Sequence, residues 1–229
     1  MANIDQWKKR YTVRQFDTTR IPTIEQISHI TDCINYMPIQ VTHLNGNLPT
    51  HFVFMLTPED RSIKEFLVRN LFHNPEKSEY FTALYDAPYL FLVMEVVKSY
   101  DGQTYDGVET SHVTAVSAGV ITGVILSQAL EAGLDVCQIA CVEDINAPEN
   151  KKIKKQFYKI IQTRFAKELA VLSSTHNKTF VSFDKISLGI GVGYGKELST
   201  NYSAKHPELG LEMNPSRKLI KKQPFMFVE

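Results

Sequence analysis

The sequence predicts a single globular domain that contains both helices and buried strands. The first observation is the stretch Val108–Leu134, which carries no charged side chain between Val113 and Leu130. The second is the apolar run YLFLVMEVV from Tyr89, and the third is the run ISLGIGV from Ile186. A nearly uncharged helix must be buried on nearly all sides, and a continuous apolar strand is typical of the centre of a sheet covered on both faces.

Length and composition favour one ordinary domain over residues 1–229. The chain has 229 residues, of which 43% are hydrophobic and 22% are charged, and this length allows one large core. Lysine plus arginine equals aspartate plus glutamate, at 25 each. A net charge of zero argues against a general nucleic-acid binder or membrane-surface binder. The N-terminal segment shows no apolar signal region, so a cytoplasmic location is expected.

The three cysteines, Cys33, Cys137 and Cys141, are too few for a disulfide framework. Cys137 and Cys141 stand four residues apart, but no matching pair of histidines or cysteines accompanies them. Ordinary buried thiols are therefore favoured over a zinc site, and no metal site is predicted.

The helix within Val108–Leu134 has three interpretations: a plain core helix, a membrane span, or a helix shared between two subunits beside a site. Gly119 and Gly123 lie on one helix face, where small residues let another backbone come close. Gly133 follows the last turn and predicts a left-handed cap. Gln128 and several hydroxyl side chains, with no positive flank, argue against the membrane.

Helical periodicity and apolar runs predict the other elements. Isoleucines at spacings of three and four predict a helix over about residues 23–36, which Pro38 ends. Further helices are predicted over about residues 3–10, 61–73 and 151–174, and strands over 52–56, 89–97, 134–142 and 186–192. The C-terminal run Pro224–Val228 is strand-like and has no neighbour in sequence to pair with, so it must dock on its own sheet or on a partner.

A pair of arginines near the N-terminus suits a phosphate. If residues 10–14 are extended, Arg10, Thr12 and Arg14 point to the same side. Arginine offers two donors in a fixed fork, and threonine adds a short donor. The alternative is a solvated charged edge.

Lysines cluster at the start of the predicted helix over residues 151–174, which is the unfavourable end of the helix dipole. Their positions are Lys151, Lys152, Lys154, Lys155 and Lys159. They form either a solvated face or a patch that steers a phosphorylated ligand.

Glycines alternate at the end of the last predicted strand, at Gly189, Gly191, Gly193 and Gly195. This is not the dinucleotide fingerprint, because Tyr194 replaces the last glycine and no helix follows. The alternation indicates either that something flat or bulky approaches one face or that a bulge ends the strand.

In this order the motifs resemble the nitroreductase family of flavoenzymes. The family's N-terminal pattern Arg-x-Ser-x-Arg-x-Phe is similar to Arg10, Thr12, Arg14 and Phe16. The family's loop between a Pro-Ser segment and Gln-Pro-Trp resembles the stretch from Pro38 to Pro49. The pattern Leu-x-x-Ala-x-x-x-Gly-Leu resembles Leu126, Ala129, Gly133 and Leu134, and the final Gly-Tyr and Arg resemble Gly193, Tyr194 and Arg217.

The resemblance implies an α+β fold, with a central mixed or antiparallel sheet flanked by helices. It also implies a homodimer that binds FMN at its interface, with C-terminal tails that add a strand to the partner's sheet. The implied activity is that of an FMN-dependent NAD(P)H oxidoreductase. Hydride would pass from NADH or NADPH to flavin N5 and then, in a ping-pong cycle, to a nitroaromatic, a quinone or a similar acceptor. No side chain need act as a general acid, so no catalytic residue is predicted.

The resemblance also assigns residues to the cofactor. Arginines and a threonine would hold the phosphate, the loop from Pro38 to Pro49 would face the pyrimidine edge of the flavin, and the turn at Ala140 would place backbone N–H groups near N5. The implied FMN-binding residues are Arg10, Tyr11, Thr12, Arg14, Gln40, Thr42, Asn45, Ala140, Cys141, Gly193 and Arg217.

The chain departs from the family pattern at the flavin edge. Residues 39–42 replace its serines and asparagine, Thr50 replaces its tryptophan, and Ala140-Cys141 replaces a common Gly-Gly. Two further hypotheses therefore stay open. One is a flavin-binding protein of the same fold with a narrow reaction or no general reductase activity, and the other is a non-enzymatic dimeric interaction protein.

Overall fold

A four-stranded antiparallel sheet forms the centre of the molecule. The computed structural model describes residues 13, 15–37, 41–42, 48–74, 79–80, 82–96, 108–140, 147–175, 183–196, 205–206 and 211–212. The strand order is β3-β6-β8-β7. These strands are β3 (His51–Leu56), β6 (Tyr89–Val96), β7 (Asp135–Ile139) and β8 (Phe183–Gly193). Short ladders join β1 (Val41–Thr42) with β2 (Leu48–Pro49), β4 (His73–Asn74) with β5 (Glu79–Tyr80), and β9 (Lys205–His206) with β10 (Leu211–Glu212).

Helices cover both faces of this sheet, which confirms the predicted α+β class. They are α1 (Ile24–Tyr36), α2 (Arg61–Asn70), α3 (Ala83–Asp86), α4 (Val108–Glu131), α5 (Lys151–Arg164) and α6 (Ala166–Thr175). Residues of α1 and α4 share one hydrophobic cluster with one sheet face, and residues of α2, α3 and α5 share a second cluster with the other face.

Strand β6 is the central strand that its apolar run predicts. It pairs with β3 on one side and with β8 on the other, and all these pairs are antiparallel. Leu90, Leu92 and Met94 belong to the cluster under α2 and α5, while Phe91 and Val93 belong to the cluster under α4. Because successive side chains of a strand point to opposite faces, an unbroken apolar run serves two cores at once.

Helix α4 is buried on one face and open on the other. Ala118, Ile121, Ile125 and Ala129 lie in the core, and Gly133 has the predicted left-handed conformation with φ 73°. The opposite face is exposed, and Val116 keeps 58% of its surface accessible. Burial on nearly all sides is thus not achieved within one chain. Among the described residues, no helix is long and apolar enough to cross a membrane.

The start of α1 is fixed by a capping box. The Thr23 hydroxyl accepts a hydrogen bond from the Gln26 amide, and the Gln26 carboxamide oxygen accepts one from the Thr23 amide. Both groups satisfy N–H donors that the first turn of a helix leaves unpaired. On the inner face, Ile27 and Ile30 pack against α4 and the sheet.

Two predicted helices differ from the observed ones. The helix over residues 151–174 is wrong as one element, because the chain breaks at Phe165, with φ −111° and ψ 28°. The Phe165 ring is buried and its centroid lies 4.7 Å from that of Phe54, so the break coincides with an anchor to β3. The helix over residues 61–73 ends at Asn70, because His73 pairs with Tyr80 in a short ladder.

Lys64 is a buried cation beneath the entry to β6. Its side chain is 2% exposed, and its ammonium donates hydrogen bonds to the carbonyl oxygens of Ala87 at 2.8 Å and Pro88 at 2.7 Å. These bonds hold the turn between α3 and β6. Burial lowers the pKa of Lys64 to about 8, because the charged form loses its hydration.

Candidate functional site

The segment after the predicted arginine motif docks against the end of the sheet. The Val13 amide donates to the Val136 carbonyl at 3.2 Å, which attaches the segment to the outer edge of β7. Further along, the Asp17 amide donates a hydrogen bond to the Tyr194 backbone carbonyl at 2.7 Å. The Lys196 amide donates one to the Gln15 backbone carbonyl at 3.0 Å. Val13, Gln15 and Asp17 are therefore tied to one corner of the sheet, where β7 begins and β8 ends.

The glycines of β8 make room for this segment and for neighbouring side chains. A Cβ at Gly191 would lie 2.8 Å from the Ala87 Cβ and 3.3 Å from the Phe16 ring. At Gly189 the nearest atom would be Phe72 Cζ, at 2.8 Å. The bulky groups that the alternation predicts are thus internal. The irregular register of β8 lies opposite Val93 to Val96 and away from these glycines.

Gly193 is the tightest of these positions. A Cβ there would lie 2.6 Å from Pro88 Cδ and 3.1 Å from Phe16 Cδ1. Packing alone therefore accounts for a glycine at this position. Its predicted contact with the cofactor stays a prediction.

We expect Gly193→Ala to lower the free energy of unfolding by about 1–3 kcal/mol, because the added methyl overpacks a rigid proline. Gln162→Ala is the control, since Gln162 is an exposed residue of α5. The control should stay within about 1 kcal/mol of the parent, given the small difference between these residues in a helix. Urea unfolding measures the free energy of unfolding of both variants. If the two are equally stable, Pro88 moves aside without a measurable loss of stability.

Tyr194 is held by residues that the sequence did not single out. Its hydroxyl donates to Gln26 Oε1 at 3.0 Å, and Gln26 Nε2 donates to the Ala132 carbonyl at 2.7 Å. The Arg20 guanidinium lies 3.9 Å from the centroid of the Tyr194 ring. The Gly-Tyr motif marks Tyr194 in the sequence, but no spacing or pattern connects it with Gln26.

Asp135 is a second residue that sequence reasoning missed. Its carboxylate accepts a hydrogen bond of 2.8 Å from the Gly195 amide, so it joins the first residue of β7 to the chain beyond β8. At the same corner, hydrogen bonds from Thr19 lower the pKa of Asp17, with smaller contributions from the charges of Lys196 and Arg20. The corner thus carries two exposed cations, Lys196 and Arg20.

Ala140 lies at the other end of β7. The last strand residue, Ile139, pairs with Gly189, whereas Asp135 pairs with Gly193. Ala140 follows directly and is exposed. At about 3.3 Å per residue, it stands roughly 13 Å along the strand from Val136. Val13, the described neighbour of the predicted phosphate residues, and Ala140 therefore lie at opposite ends of one edge strand.

The predicted pyrimidine-edge loop contains a short hairpin. Thr42 pairs with Leu48, and Val41 pairs with Pro49, directly before β3. Thr50, which stands at the family's tryptophan position, is buried, and its hydroxyl lies 3.1 Å from His51 Nδ1. His51 Nε2 lies 3.3 Å from the Ser187 hydroxyl. Thr50 therefore contributes to a buried polar cluster, and it is not a pocket wall.

Three of the predicted FMN-binding residues are placed by the structure: Thr42, Ala140 and Gly193. The others lie outside the described residues, and their assignment stays a prediction. These are Arg10, Tyr11, Thr12, Arg14, Gln40, Asn45, Cys141 and Arg217. In the described part of the chain, no group of histidine, cysteine, aspartate and glutamate side chains could hold a metal ion.

A family model of the nitroreductase family matches residues 7–171. This range includes the arginine motif, the hairpin, α4 and β7. No curated protein matches the chain by sequence. The family match confirms the resemblance that the motifs predict, and it covers most of the 229 residues.

Solved structures of similar fold agree with that match. An FMN-dependent nitroreductase from Clostridium difficile R20291 is 18% identical, with a TM-score of 0.52 over 90% of this chain and 94% of that one. A nitroreductase with bound FMN from Bacteroides fragilis NCTC 9343 is 16% identical, with a TM-score of 0.52 over 99% and 98%. A nitroreductase family protein from Clostridium novyi NT is 13% identical, with a TM-score of 0.51 over 86% and 87%. At these identities the likeness shows the fold.

Proposed function

Because the chain belongs to the nitroreductase family, we propose that it is an FMN-dependent NAD(P)H oxidoreductase. When bound, FMN would supply hydride transfer at N5 between a reduced nicotinamide and an acceptor such as a nitroaromatic or a quinone. The main support for the proposal is the family match. The docking of Val13 on β7 adds to it. That docking ties Val13, which stands between Thr12 and Arg14 in the sequence, to the corner of the sheet.

The proposed phosphate site lies at this corner. In the sequence, Thr12 and Arg14 flank Val13, and Arg10 precedes Thr12 by two residues. Guanidinium groups form bidentate, charge-assisted hydrogen bonds with phosphate, so they would supply both affinity and orientation. Arg217 would add a further cation. Lys196 and Arg20 are further cations at this corner, where the carboxylates of Asp17 and Asp135 offset their charge.

The flavin ring would lie toward the far end of β7. Backbone N–H groups at Ala140 and Cys141 would face N5, and the exposure of Ala140 leaves this strand end open to a ligand. Gln40, Thr42 and Asn45 would supply hydrogen bonds to the pyrimidine edge. In this arrangement the protein binds and orients the cofactor, and no side chain is assigned a proton transfer.

A homodimer would join the two halves of this site. The hairpin with Thr42 leads into β3, which is the sheet edge opposite to β7. With neighbouring strands about 4.8 Å apart, the two edges are separated by about 14 Å. A second subunit could place its own hairpin beside Ala140. The exposed face of α4, with Val116, Gly119 and Val120, offers a surface on which two such helices could pack closely.

We expect Gly123→Leu to weaken dimerisation and FMN binding together. Gly123 is exposed, and among the described residues no atom lies within 4 Å of a Cβ there, so the leucine side chain would extend from the open face of α4 toward a second subunit. Analytical ultracentrifugation and FMN titration measure the two effects, and thermal unfolding checks the fold. A variant that stays dimeric with full FMN affinity would contradict an interface at this face.

The decisive experiment is spectroscopic. Purified protein should be yellow and release FMN on denaturation, and with NADH or NADPH it should reduce a nitroaromatic. A protein that shows no saturable FMN binding would overturn the proposal. The family's common Gly-Gly is Ala140-Cys141 here, which favours a second candidate, a flavin-binding protein with a narrow reaction. That candidate predicts FMN binding with negligible turnover of general acceptors.

A further inference from the structure

Helices α2 and α5 flank an open surface groove. It is lined by Ile63, Gln156, Lys159, Ile160, Thr163 and Arg164, and its volume is about 750 Å³. This volume falls within the range of about 300–1,000 Å³ that is typical of small-ligand pockets. Phe165, directly after α5, contacts Phe54 of β3, so this end of α5 lies near the sheet edge opposite to β7.

One wall of the groove is helix α5, which has an excess of positively charged side chains. Helix α5, KKIKKQFYKIIQTR, carries five lysines, one arginine and no acidic residue, although the whole chain is neutral. Four of these lysines lie in the first five residues, where the helix dipole disfavours positive charge. The cluster therefore costs helix stability, and Lys159, four residues after Lys155, is the lysine of this helix that lines the groove.

Two cations of the groove differ in their availability. The Arg164 guanidinium is held by the Asp60 carboxylate, with hydrogen bonds of 2.6 Å and 3.1 Å. Burial acts to raise the pKa of Asp60, but the hydrogen bonds from Arg164 and Thr57 outweigh it and lower this pKa. Lys159 is exposed and has no ion-pair partner among the residues that the structure describes. The Asp60 carboxylate thus neutralises the charge of Arg164. Lys159 is the exposed cation of the groove lining.

The lining also contains apolar surface. Ile63 and Ile160 are only partly buried, and they face the same groove as the Lys159 side chain. Inorganic phosphate would leave both isoleucines in water, and a neutral hydrocarbon would leave the ammonium unpaired. A ligand with an apolar body and one anionic head satisfies both groups.

We propose that this groove binds an amphipathic anion of the alkyl carboxylate class. The alkyl chain lies on Ile63 and Ile160, and the carboxylate pairs with the Lys159 ammonium. Gln156 and Thr163 supply hydrogen bonds beside the head group. Lys152 lies on the same helix face as Gln156 and Lys159, at spacings of four and seven, and adds to the positive potential.

Calorimetric titration of the FMN-saturated protein with decanoate tests the proposal. Saturation keeps the flavin site filled, and an alkyl chain lacks the flat ring that stacks on a flavin. We expect saturable binding of one decanoate per chain and no saturable binding of inorganic phosphate. Lys159→Glu should weaken decanoate binding by at least about tenfold, as expected for reversing the charge of an ion-pair partner.

Lys167→Glu is the matched control, because Lys167 is an exposed lysine of α6 that does not line the groove. Lys167→Glu should therefore weaken decanoate binding less than Lys159→Glu does, because its charge acts on the ligand only from outside the groove. Circular dichroism confirms that both variants keep the fold. The proposal is overturned if decanoate shows no saturable binding at millimolar concentration, if phosphate binds equally well, or if Lys159→Glu and Lys167→Glu bind decanoate alike.

Discussion

Arg14→Ala is expected to lower the affinity for FMN by about 10- to 100-fold, and Arg10→Ala by a similar factor. A hydrogen bond to a charged group is worth about 1.5–3 kcal/mol, and phosphate binding by arginine uses such bonds. The double variant should lose more, because it leaves the phosphate without either guanidinium. Quenching of flavin fluorescence on titration with the protein measures each dissociation constant.

The matched control for these variants is Arg69→Ala. Arg69 is an exposed arginine of α2 whose guanidinium pairs with Glu65 at 2.9 Å, and it lies outside the corner where Val13 docks. It should leave FMN affinity unchanged. If Arg10→Ala and Arg14→Ala also leave it unchanged, the arginines form a solvated charged edge, and the phosphate site lies elsewhere.

The largest expected effect on stability concerns Lys64, and it depends on pH. The unfolded chain keeps the ordinary pKa of 10.5, whereas burial lowers the pKa in the folded state to about 8. Below pH 8 both states carry the proton. Between pH 8 and 10.5 the unfolded state binds more protons, so the contribution of Lys64 to folding stability rises with pH. The total gain is about 3 kcal/mol, at about 1.36 kcal/mol for each pH unit.

Comparison with Lys64→Met isolates this contribution, because methionine keeps the apolar stem and does not titrate. Urea unfolding at pH 7, 8, 9 and 10 should show the parent gaining stability relative to the variant above pH 8. Lys167→Met changes an exposed lysine. Its free energy of unfolding should depend on pH in the same way as that of the parent. A constant difference between the parent and Lys64→Met across this range would mean that the hydrogen bonds to Ala87 and Pro88 keep the ammonium charged.

The sequence predicts elements whose signal is local. The isoleucine spacing predicts α1, and the unbroken apolar run from Tyr89 predicts a central strand covered on both faces. Gly133 predicts the left-handed end of α4, because few residues other than glycine adopt that conformation. The break at Phe165 could not be predicted in this way, because the apolar stripe of the helix continues through it. The feature found at the break is a contact with Phe54, which is distant in sequence.

The site depends more on contacts between distant parts of the chain. The Gly-Tyr motif marks Tyr194, but no pattern connects it with its partner Gln26 in α1, or Gln26 with the Ala132 carbonyl just after α4. The alternating glycines indicate bulky neighbours, yet only the fold identifies them as Phe16, Phe72 and Pro88. The strand order likewise has no local signal, and it is this order that sets Thr42 and Ala140 at opposite edges.

The contact of Phe16 with Gly191 and Gly193 joins two segments that are far apart in the chain. The two glycines lie 175 and 177 residues after Phe16. Contacts between residues so distant in sequence slow folding, because loop-closure entropy is lost before the contact rewards it. Any FMN binding at the proposed phosphate site would therefore depend on a folded β8, and we expect a chain truncated before Phe183 not to hold FMN.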